Sequence, residues 1–208
     1  MEHRSTAKHV LVTGSPGVGK TTLIRKVVEK LKQELSFPIN GFYTVEVRKQ
    51  KIRGGFDVVS LGSAKHGVLA RKSDMTSFAT KRRMPMVGQY CVDIKSFEEI
   101  ALPTLQGLES AGQILVIDEI GKMELFSDKF VALVRKVFET ENTIIVSTVP
   151  VSKGKPIKLV DDLRARADCS LVTVTKENRE SLVSDVVDLL VCSYKAYISG
   201  KVVQKPKH

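Results

Sequence analysis

One run of eight residues restricts the folds open to this chain more than any other part of its sequence. Residues 14–21 read GSPGVGKT, which matches the phosphate-loop (P-loop) pattern G-x-x-x-x-G-K-[ST] in full. The β-branched, apolar residues 9–13 before it are typical of a buried strand, and residues 21–35 after it carry apolar side chains at helical spacing. The sequence therefore predicts a strand, a glycine-rich loop and a helix in immediate succession.

The residue types of this run suit the binding of phosphate groups. Glycine permits positive φ, so consecutive backbone N–H groups can point at an anion, and the following helix adds its positive end. The Lys20 ammonium can reach the β- and γ-phosphates of a nucleotide, and the Thr21 hydroxyl can ligate Mg²⁺. We interpret the run as a nucleotide site rather than an ordinary glycine turn; its residues are Gly14, Ser15, Pro16, Gly17, Val18, Gly19, Lys20, Thr21 and Thr22.

A second group of residues ends a predicted buried strand in two acids. Four apolar residues, 114–117, precede Asp118 and Glu119. In a parallel sheet this strand delivers its carboxylates to the edge where the P-loop lies, so Asp118 can hold Mg²⁺ through its water shell. Glu119 is then placed to orient or deprotonate a water that attacks the γ-phosphorus, which favours hydrolysis over passive binding. The alternative is that both acids cap the next helix.

Two further pairs of polar residues are weaker candidates. Gly121 would let the chain turn close to the phosphates, and Lys122 could neutralise charge in the transition state. Lys122 and Glu124 could equally form a salt-bridged surface pair. Ser147 and Thr148 end the predicted strand 143–149, where a hydroxyl could sense the γ-phosphate or hold the attacking water. Hydroxyl residues are also common at strand ends for structural reasons.

An arginine near the phosphates would stabilise the charge that develops during phosphoryl transfer. The candidates are Arg164, Arg166 and Arg179, with Arg82 and Arg83 as further possibilities in a basic stretch. Each could equally be an ordinary surface residue.

The segment after the last predicted strand is a candidate for contact with the nucleotide base. Residues 175–178 read TKEN, and Asn178 is the residue we include in the nucleotide-binding set together with Arg179. The segment lacks the Asn-Lys-x-Asp sequence that reads guanine in G proteins, so we expect weak discrimination between bases.

The remaining patterns predict an α/β fold with a mostly parallel central sheet flanked by helices. Strands are expected at 113–117, 143–149 and 171–175, and helices at 96–108, with Ser96 as N-cap, and at 126–140, 157–167 and 176–197. After the first helix, residues 42–47 and 56–61 alternate with period two around a polar turn, which indicates a β-hairpin. The basic, apolar-poor residues 64–85 are expected to form a loop or a lid.

Composition limits the class of protein. The chain has 208 residues, of which 42% are hydrophobic and 27% charged, as in a globular domain, and no apolar run is long enough to span a membrane. A polar N-terminus and three cysteines without paired spacing (Cys91, Cys169 and Cys192) predict an intracellular, cytoplasmic protein without disulfides or a zinc site.

The net charge of +10 lies mostly in the first 100 residues, which suggests a polyanionic partner: a nucleotide, a nucleic acid or an anionic membrane surface. With 6% aromatic residues and no Trp, the chain offers few stacking platforms for bases, so nucleic acid is the less favoured partner.

Seven segments together resemble a family of P-loop nucleoside-triphosphatases that has human, bacterial and archaeal members. They are 13–22 (TGSPGVGKTT), 41–48 (GFYTVEVR), 55–59 (GFDVV), 87–93 (VGQYCVD), 116–126 (VIDEIGKMELF), 153–156 (KGKP) and 174–179 (VTKENR). The resemblance covers about residues 8–192. The basic loop at 64–83 and the tail after Ser193 depart from it.

The resemblance implies slow, Mg²⁺-dependent hydrolysis of several nucleoside triphosphates to diphosphate and phosphate. It implies a single P-loop domain, here 1–208 with a β-rich insertion at about 41–93 and a basic tail at about 198–208. Carried over residue by residue, Lys20 and Thr21 hold phosphate and Mg²⁺, Asp118 is the Mg²⁺-associated acid, and Glu119 is the base. We expect ATP, GTP, CTP and UTP as substrates and a monomeric protein that does not bind membranes.

Two other functions fit the same P-loop. A nucleotide or nucleoside kinase would use residues 64–83 as a lid that excludes water, with Arg82 and Arg83 on the phosphates. A nucleotide-gated switch or a nucleic-acid-binding protein would use the basic half of the chain for a partner, and slow turnover is compatible with a protein that waits for one.

Overall fold

The computed structural model describes residues 7–34, 38–50, 52–75, 84–107, 112–141, 143–152 and 156–197. The strands are β1 (His9–Thr13), β2 (Ile39–Lys49), β3 (Ile52–Ser60), β4 (His66–Lys72), β5 (Met86–Val87), β6 (Tyr90–Val92), β7 (Gln113–Ile117), β8 (Thr143–Thr148) and β9 (Cys169–Thr173). The helices are α1 (Lys20–Glu34), α2 (Ile94–Thr104), α3 (Asp128–Phe138), α4 (Lys158–Arg164) and α5 (Leu182–Tyr197).

All of these strands lie in one mixed sheet, in the order β5-β6-β4-β3-β2-β7-β8-β1-β9. The five strands from β2 to β9 in that order pair in parallel, whereas β3, β4, β6 and β5 continue the sheet through antiparallel pairs. Parallel strands end at the same edge of a sheet, so the segments that follow β1, β7 and β8 lie close to one another. The predicted α/β fold with a mostly parallel sheet flanked by helices is confirmed.

Each face of the sheet is covered by helices because the strands of its parallel half are apolar on both faces. Val10 and Val12 of β1 pack with α1 and α5, while Leu11 between them packs toward α2 and α3 on the other face. Side chains alternate between the faces of a strand, so one short strand contributes to two separate cores. No helix among the described residues has the length and apolar character needed to cross a lipid bilayer.

The predicted hairpin is real, but it is continuous with the central sheet. β2 starts at Ile39, pairs in parallel with β7 through residues 39–42, and then turns into the antiparallel hairpin with β3. The hydrogen-bonded ladder runs unbroken from the parallel half into the hairpin, so the described part of segment 41–93 extends the core sheet.

The prediction of a loop over residues 64–85 is wrong for its first half. His66–Lys72 is strand β4, which pairs with β3 and β6, and Leu69 and Ala70 within it are buried. Basic residues surround a short apolar stretch here, and this composition hid the strand. Residues 76–83, which include Arg82 and Arg83, lie outside the described residues, as do residues 153–155 and 198–208.

Three predicted boundaries also need correction. Asp93, not Ser96, caps α2: its carboxylate accepts a hydrogen bond of 3.0 Å from the Ser96 N–H, while the Ser96 hydroxyl accepts one of 2.8 Å from the Val68 N–H. β9 begins and ends two residues earlier than predicted. The last helix begins at Leu182 rather than at residue 176, because residues 176–181 form turns.

His9 has a buried imidazole ring whose protonation depends on pH. Its ring is fully buried, its Nδ1 accepts a hydrogen bond of 3.1 Å from the Ile145 N–H, and its centroid lies 5.0 Å from that of Phe138. Burial, followed by the charge of Lys8, lowers the pKa of His9 from 6.5 to about 3. His9 is therefore neutral in the folded protein at neutral pH.

We expect His9 to destabilise the fold in mild acid. Below pH 6.5 the unfolded chain binds a proton on this imidazole, whereas the folded chain does not until about pH 3. The stability that neutral His9 contributes at neutral pH is thus lost progressively over that window, by about 2 kcal/mol between pH 7.5 and pH 5. Urea unfolding of wild type and His9→Gln at both pH values measures this, and the variant should lack this part of the loss. The same pH dependence in both proteins would contradict it.

Candidate functional site

The predicted P-loop connects β1 to α1 and has the expected backbone. Gly14, Gly17 and Gly19 have φ values of 155°, 74° and 111°. A side chain at Gly14 is excluded because its Cβ would lie 2.6 Å from the Val174 carbonyl oxygen. The Val18 N–H donates to the Ser15 carbonyl across 3.2 Å, which closes the turn. The loop therefore has the shape of an anion-binding nest at a helix N-terminus.

Lys20 lies between the P-loop and the acid that follows β7. Its Nζ donates to the Gly14 carbonyl across 3.2 Å and lies 3.7 Å from Glu119 Oε2. Burial raises the pKa of Glu119, and the charge of Lys20 opposes this shift. A cation and a carboxylate whose pKa is raised by burial thus meet at the mouth of the loop.

Asp118 is almost completely buried beside the same loop. Its Oδ1 accepts a hydrogen bond of 2.5 Å from the Thr148 hydroxyl, and its Oδ2 has no hydrogen-bond partner among the described residues. Burial raises the pKa of Asp118, while hydrogen bonds from Thr148 and Thr21 lower it. A buried carboxylate oxygen left open beside the Thr21 hydroxyl is suited to a hydrated cation.

These residues fit Mg²⁺ rather than an ion enclosed by protein ligands. Within the described ranges, no group of three or more His, Cys, Asp or Glu side chains could hold a metal. Mg²⁺ in nucleotide sites takes one or two protein ligands and completes its shell with water and phosphate oxygens. Thr21 and Asp118 would be the protein ligands, with Asp118 acting through the water shell of the ion.

The hydroxyls of Ser147 and Thr148 have structural partners. The Ser147 hydroxyl donates to the Ile117 carbonyl across 2.9 Å inside the sheet. The Thr148 hydroxyl donates to Asp118 and so orients this carboxylate. Both groups are buried, and contact of either with the γ-phosphate or the attacking water stays a prediction.

Glu124 lies beside Glu119, and the sequence did not distinguish it from a surface residue. It is buried in the wall of the site, whereas Lys122 is exposed, so they do not form the surface salt bridge that was one interpretation. Burial, reinforced by the charge of Glu119, raises the pKa of Glu124 to about 8. Gly121 separates the two carboxyl groups: a Cβ there would lie 2.6 Å from Glu119 Oε1 and 3.0 Å from Glu124 Oε2.

The three predicted arginines lie in three different places. Arg164 donates to the Thr13 hydroxyl across 3.1 Å and to the Pro150 carbonyl, so it braces the ends of β1 and β8. The aliphatic part of Arg179 lies beside the P-loop, where its Cδ would be 3.7 Å from a Cβ on Gly19.

Arg166 lies at the opposite edge of the sheet, and its prediction as a phosphate ligand is wrong. It forms ion pairs with Asp168 and Glu139, and Asp168 in turn accepts the backbone N–H of His9 at the start of β1. The P-loop begins where β1 ends. The order along the chain contained this signal, because Arg166 precedes β9 and so lies at the amino end of the parallel strands.

The Asn178 amide serves its own turn. Its Oδ1 accepts a hydrogen bond of 2.7 Å from the Thr175 N–H, and its Nδ2 donates to the Thr173 carbonyl across 3.0 Å. These hydrogen bonds shape the segment after β9, and contact of Asn178 with a nucleotide base stays a prediction.

A cleft of about 700 Å³ connects the P-loop to the antiparallel half of the sheet. The P-loop, Glu119, Lys122 and Glu124 line one part of it. The other part, which the sequence analysis did not identify, is lined by side chains of β2 and β3, chiefly Thr44, Glu46, Arg48, Arg53 and Phe56. The period-two spacing of Thr44, Glu46 and Arg48 places them on one face of β2 and was the available signal.

The sequence matches a family model described as NTPase over residues 9–187. It is 49% identical over 193 residues to the human cancer-related nucleoside-triphosphatase, an alignment that covers 91% of this chain and all of the human protein. It is 37% identical over 188 residues to the nucleoside-triphosphatase THEP1 of Aquifex aeolicus, covering 87% of this chain and 98% of that protein.

Solved structures agree with these matches. The solution structure of a human cancer-related nucleoside triphosphatase superposes with a TM-score of 0.75 at 49% identity, covering 88% of this chain and 96% of that one. The crystal structure of THEP1 from the hyperthermophile Aquifex aeolicus superposes with a TM-score of 0.71 at 36% identity, covering 88% and 98% of the two chains. Fold and sequence therefore point to the same group of proteins.

Proposed function

Because this chain belongs to the NTPase family, whose named relatives are nucleoside-triphosphatases, we propose that it hydrolyses ATP, GTP, CTP and UTP to diphosphate and phosphate, slowly and with Mg²⁺. The observation that carries the proposal is the position of Glu119, whose carboxylate lies 3.7 Å from the P-loop lysine at the mouth of the cleft.

The P-loop amides and Lys20 bind the β- and γ-phosphates in this proposal. Successive N–H groups of the loop and the N-terminus of α1 face the anion, and Lys20 adds a full positive charge. Thr21 and Asp118 would hold Mg²⁺, with Thr148 fixing the Asp118 carboxylate. When bound, Mg²⁺ neutralises charge on the β- and γ-phosphate oxygens.

Glu119 orients and deprotonates the attacking water. As the water oxygen bonds to the γ-phosphorus, its proton passes to the Glu119 carboxylate and the bond from the γ-phosphorus to the β–γ bridging oxygen breaks. The diphosphate leaves on the side opposite to the water. Glu124, held protonated at neutral pH by its pKa of about 8, can lie next to Glu119 without adding a second negative charge.

Two structural features support slow turnover and weak discrimination between nucleotide bases. Arg164 and Arg166, which could have stabilised the transferring phosphoryl group, are engaged with protein groups. Of the predicted arginines that the structure describes, Arg179 remains beside the P-loop, and its Nε lies 3.9 Å from Glu180 Oε1. GTPases hydrolyse slowly until an arginine reaches the γ-phosphate, so the engagement of Arg164 and Arg166 elsewhere supports slow turnover. The Asn178 amide is engaged within its own turn, so it does not select a base.

Phosphate release from each of the four triphosphates, with Mg²⁺ and with EDTA, tests the proposal. We expect release from all four at rates within about tenfold of one another, since the segment after β9 lacks the Asn-Lys-x-Asp sequence that reads guanine. EDTA should abolish release. Release from a single triphosphate, or release only after a phosphoryl acceptor is added, would contradict the proposed broad hydrolysis.

A further inference from the structure

The cleft extends well beyond the place that a triphosphate occupies. The P-loop follows β1, and the sheet continues through β8 and β7 to β2 and β3. At about 4.8 Å per strand, β2 lies about 14 Å and β3 about 19 Å from β1. Glu46, Arg53 and Phe56 line the cleft on these distant strands, on the far side of the Glu119 strand β7.

In-line displacement leaves this distant part free when a nucleotide is bound. The nucleophile and the leaving oxygen lie on opposite sides of the γ-phosphorus. If Glu119 marks the side of attack, the β-phosphate and the nucleoside extend away from β2 and β3. The cleft of about 700 Å³ continues from the P-loop to the side chains of β2 and β3, which lie on the other side of β7 from β1. In this arrangement the part along β2 and β3 is open to a second molecule while a nucleotide occupies the P-loop.

The charged side chains that line the part of the cleft along β2 and β3 carry a net positive charge. Arg48 Nε lies 2.6 Å from Glu46 Oε1, and Arg53 Nη2 lies 2.7 Å from Glu46 Oε2. The hydrogen bond from Arg53 keeps the pKa of Glu46 low, so the carboxylate stays ionised. Two guanidinium groups converge on one carboxylate. The cluster has a surplus positive charge and lines the cleft, and two guanidinium groups carry more N–H donors than one carboxylate can accept, which suits an anion.

The floor beside this cluster is apolar and aromatic. The Arg53 guanidinium lies 5.7 Å from the Phe56 ring centroid, and the Phe56 ring meets the edge of Tyr90 at 5.4 Å. Leu69, Val87 and Met123 continue the lining. A pocket with an apolar body and few charged groups at one end is typical of sites for small organic molecules.

We propose that the part of the cleft formed by Glu46, Arg48, Arg53 and Phe56 binds a second small molecule: a flat, aromatic anion such as a phosphate monoester. Its ring lies over Phe56 and its anionic group on Arg48 and Arg53, and it shares the cleft with the nucleoside triphosphate on the side of attack. Its placement relative to the nucleotide rests on the function proposed above, while the binding itself does not.

The probe is 1-naphthyl phosphate, whose fluorescence is excited at wavelengths longer than those absorbed by the four tyrosines of a chain that has no Trp. We expect the fluorescence anisotropy of the probe to show saturable binding to the protein. This binding should persist when Mg²⁺ and a non-hydrolysable ATP analogue saturate the P-loop. Arg53→Gln should weaken it at least about tenfold, since a charged hydrogen bond is lost. Arg135→Gln is the matched control, because Arg135 is similarly exposed, pairs with Asp162 and does not line the cleft.

Three results would overturn the proposal: no saturable binding, displacement of the probe by the ATP analogue, or equal affinity in Arg53→Gln and wild type. Equal competition by inorganic phosphate would show a simple anion site without recognition of the ring, and would also refute it. Lys20→Ala separates this proposal from the previous one. It should lose nucleotide affinity and retain probe affinity, so either function can fail without the other.

Discussion

Replacing Glu119 by Gln is expected to lower kcat for nucleoside triphosphate hydrolysis by roughly 10²–10⁴ and to leave nucleotide affinity nearly unchanged. The factor is the usual contribution of a general base. Gln keeps the shape and hydrogen-bonding reach of the side chain but cannot accept the proton of the attacking water. Binding persists because the P-loop amides and Lys20 still face the phosphates.

Phosphate release and equilibrium binding of a labelled, non-hydrolysable triphosphate measure the two effects separately. Glu180→Gln is the control, because Glu180 is an exposed acid that pairs with Lys26 on the helix after the P-loop. It should leave kcat within about twofold of wild type. Parallel loss of affinity and turnover in Glu119→Gln would refute the role of Glu119 as a base.

Gly121→Ala is expected to lower kcat about a hundredfold although it adds only a single methyl group, at a residue that is not itself a proposed ligand of the phosphates. The new Cβ would lie 2.6 Å from Glu119 Oε1 and 3.0 Å from Glu124 Oε2, so the Glu119 carboxylate has to move. A displacement of about 1 Å at a reacting group costs about 10² in rate. Overpacking of this kind also costs about 1–3 kcal/mol in the free energy of unfolding.

The matched control for this change is Gly62→Ala. A Cβ at Gly62 meets only the Asn40 side chain at an ordinary 3.5 Å, so kcat and stability should stay close to wild type. Steady-state kinetics and urea unfolding of both variants are the measurements. Wild-type turnover in Gly121→Ala would show that the close approach of Glu119 and Glu124 across this glycine has no part in catalysis.

The sequence predicted those parts of the structure in which local pattern and chemistry agree. The P-loop spacing, with a buried strand before it and an amphipathic helix after it, allows one backbone arrangement, and the structure has it. Asp118 and Glu119 follow four buried residues of β7, so the strand itself carries them to the correct edge. That these two acids lie near Lys20 follows from the rule that parallel strands end at the same edge of a sheet.

Features that depend on tertiary packing were beyond the sequence, whereas the place of Arg166 was not. Arg166 precedes β9 and Arg179 follows it, so the two lie at opposite ends of the parallel strands, and the chain order contained that signal. Glu124 has the charge of a surface residue, and its burial comes from tertiary packing around Gly121. β4 was missed because neighbouring strands, not its own composition, bury Leu69.

The most direct test of the account is hydrolysis of ATP in H₂¹⁸O, with mass spectrometry of both products and Glu119→Gln as a parallel sample. The account predicts one ¹⁸O atom in the released phosphate, none in ADP, and a loss of the labelled phosphate in the variant that matches its loss of kcat. Label in ADP would show attack at the β-phosphorus, and undiminished labelled phosphate from Glu119→Gln would show that another group activates the water. Either result would contradict attack at the γ-phosphorus by a water that Glu119 deprotonates.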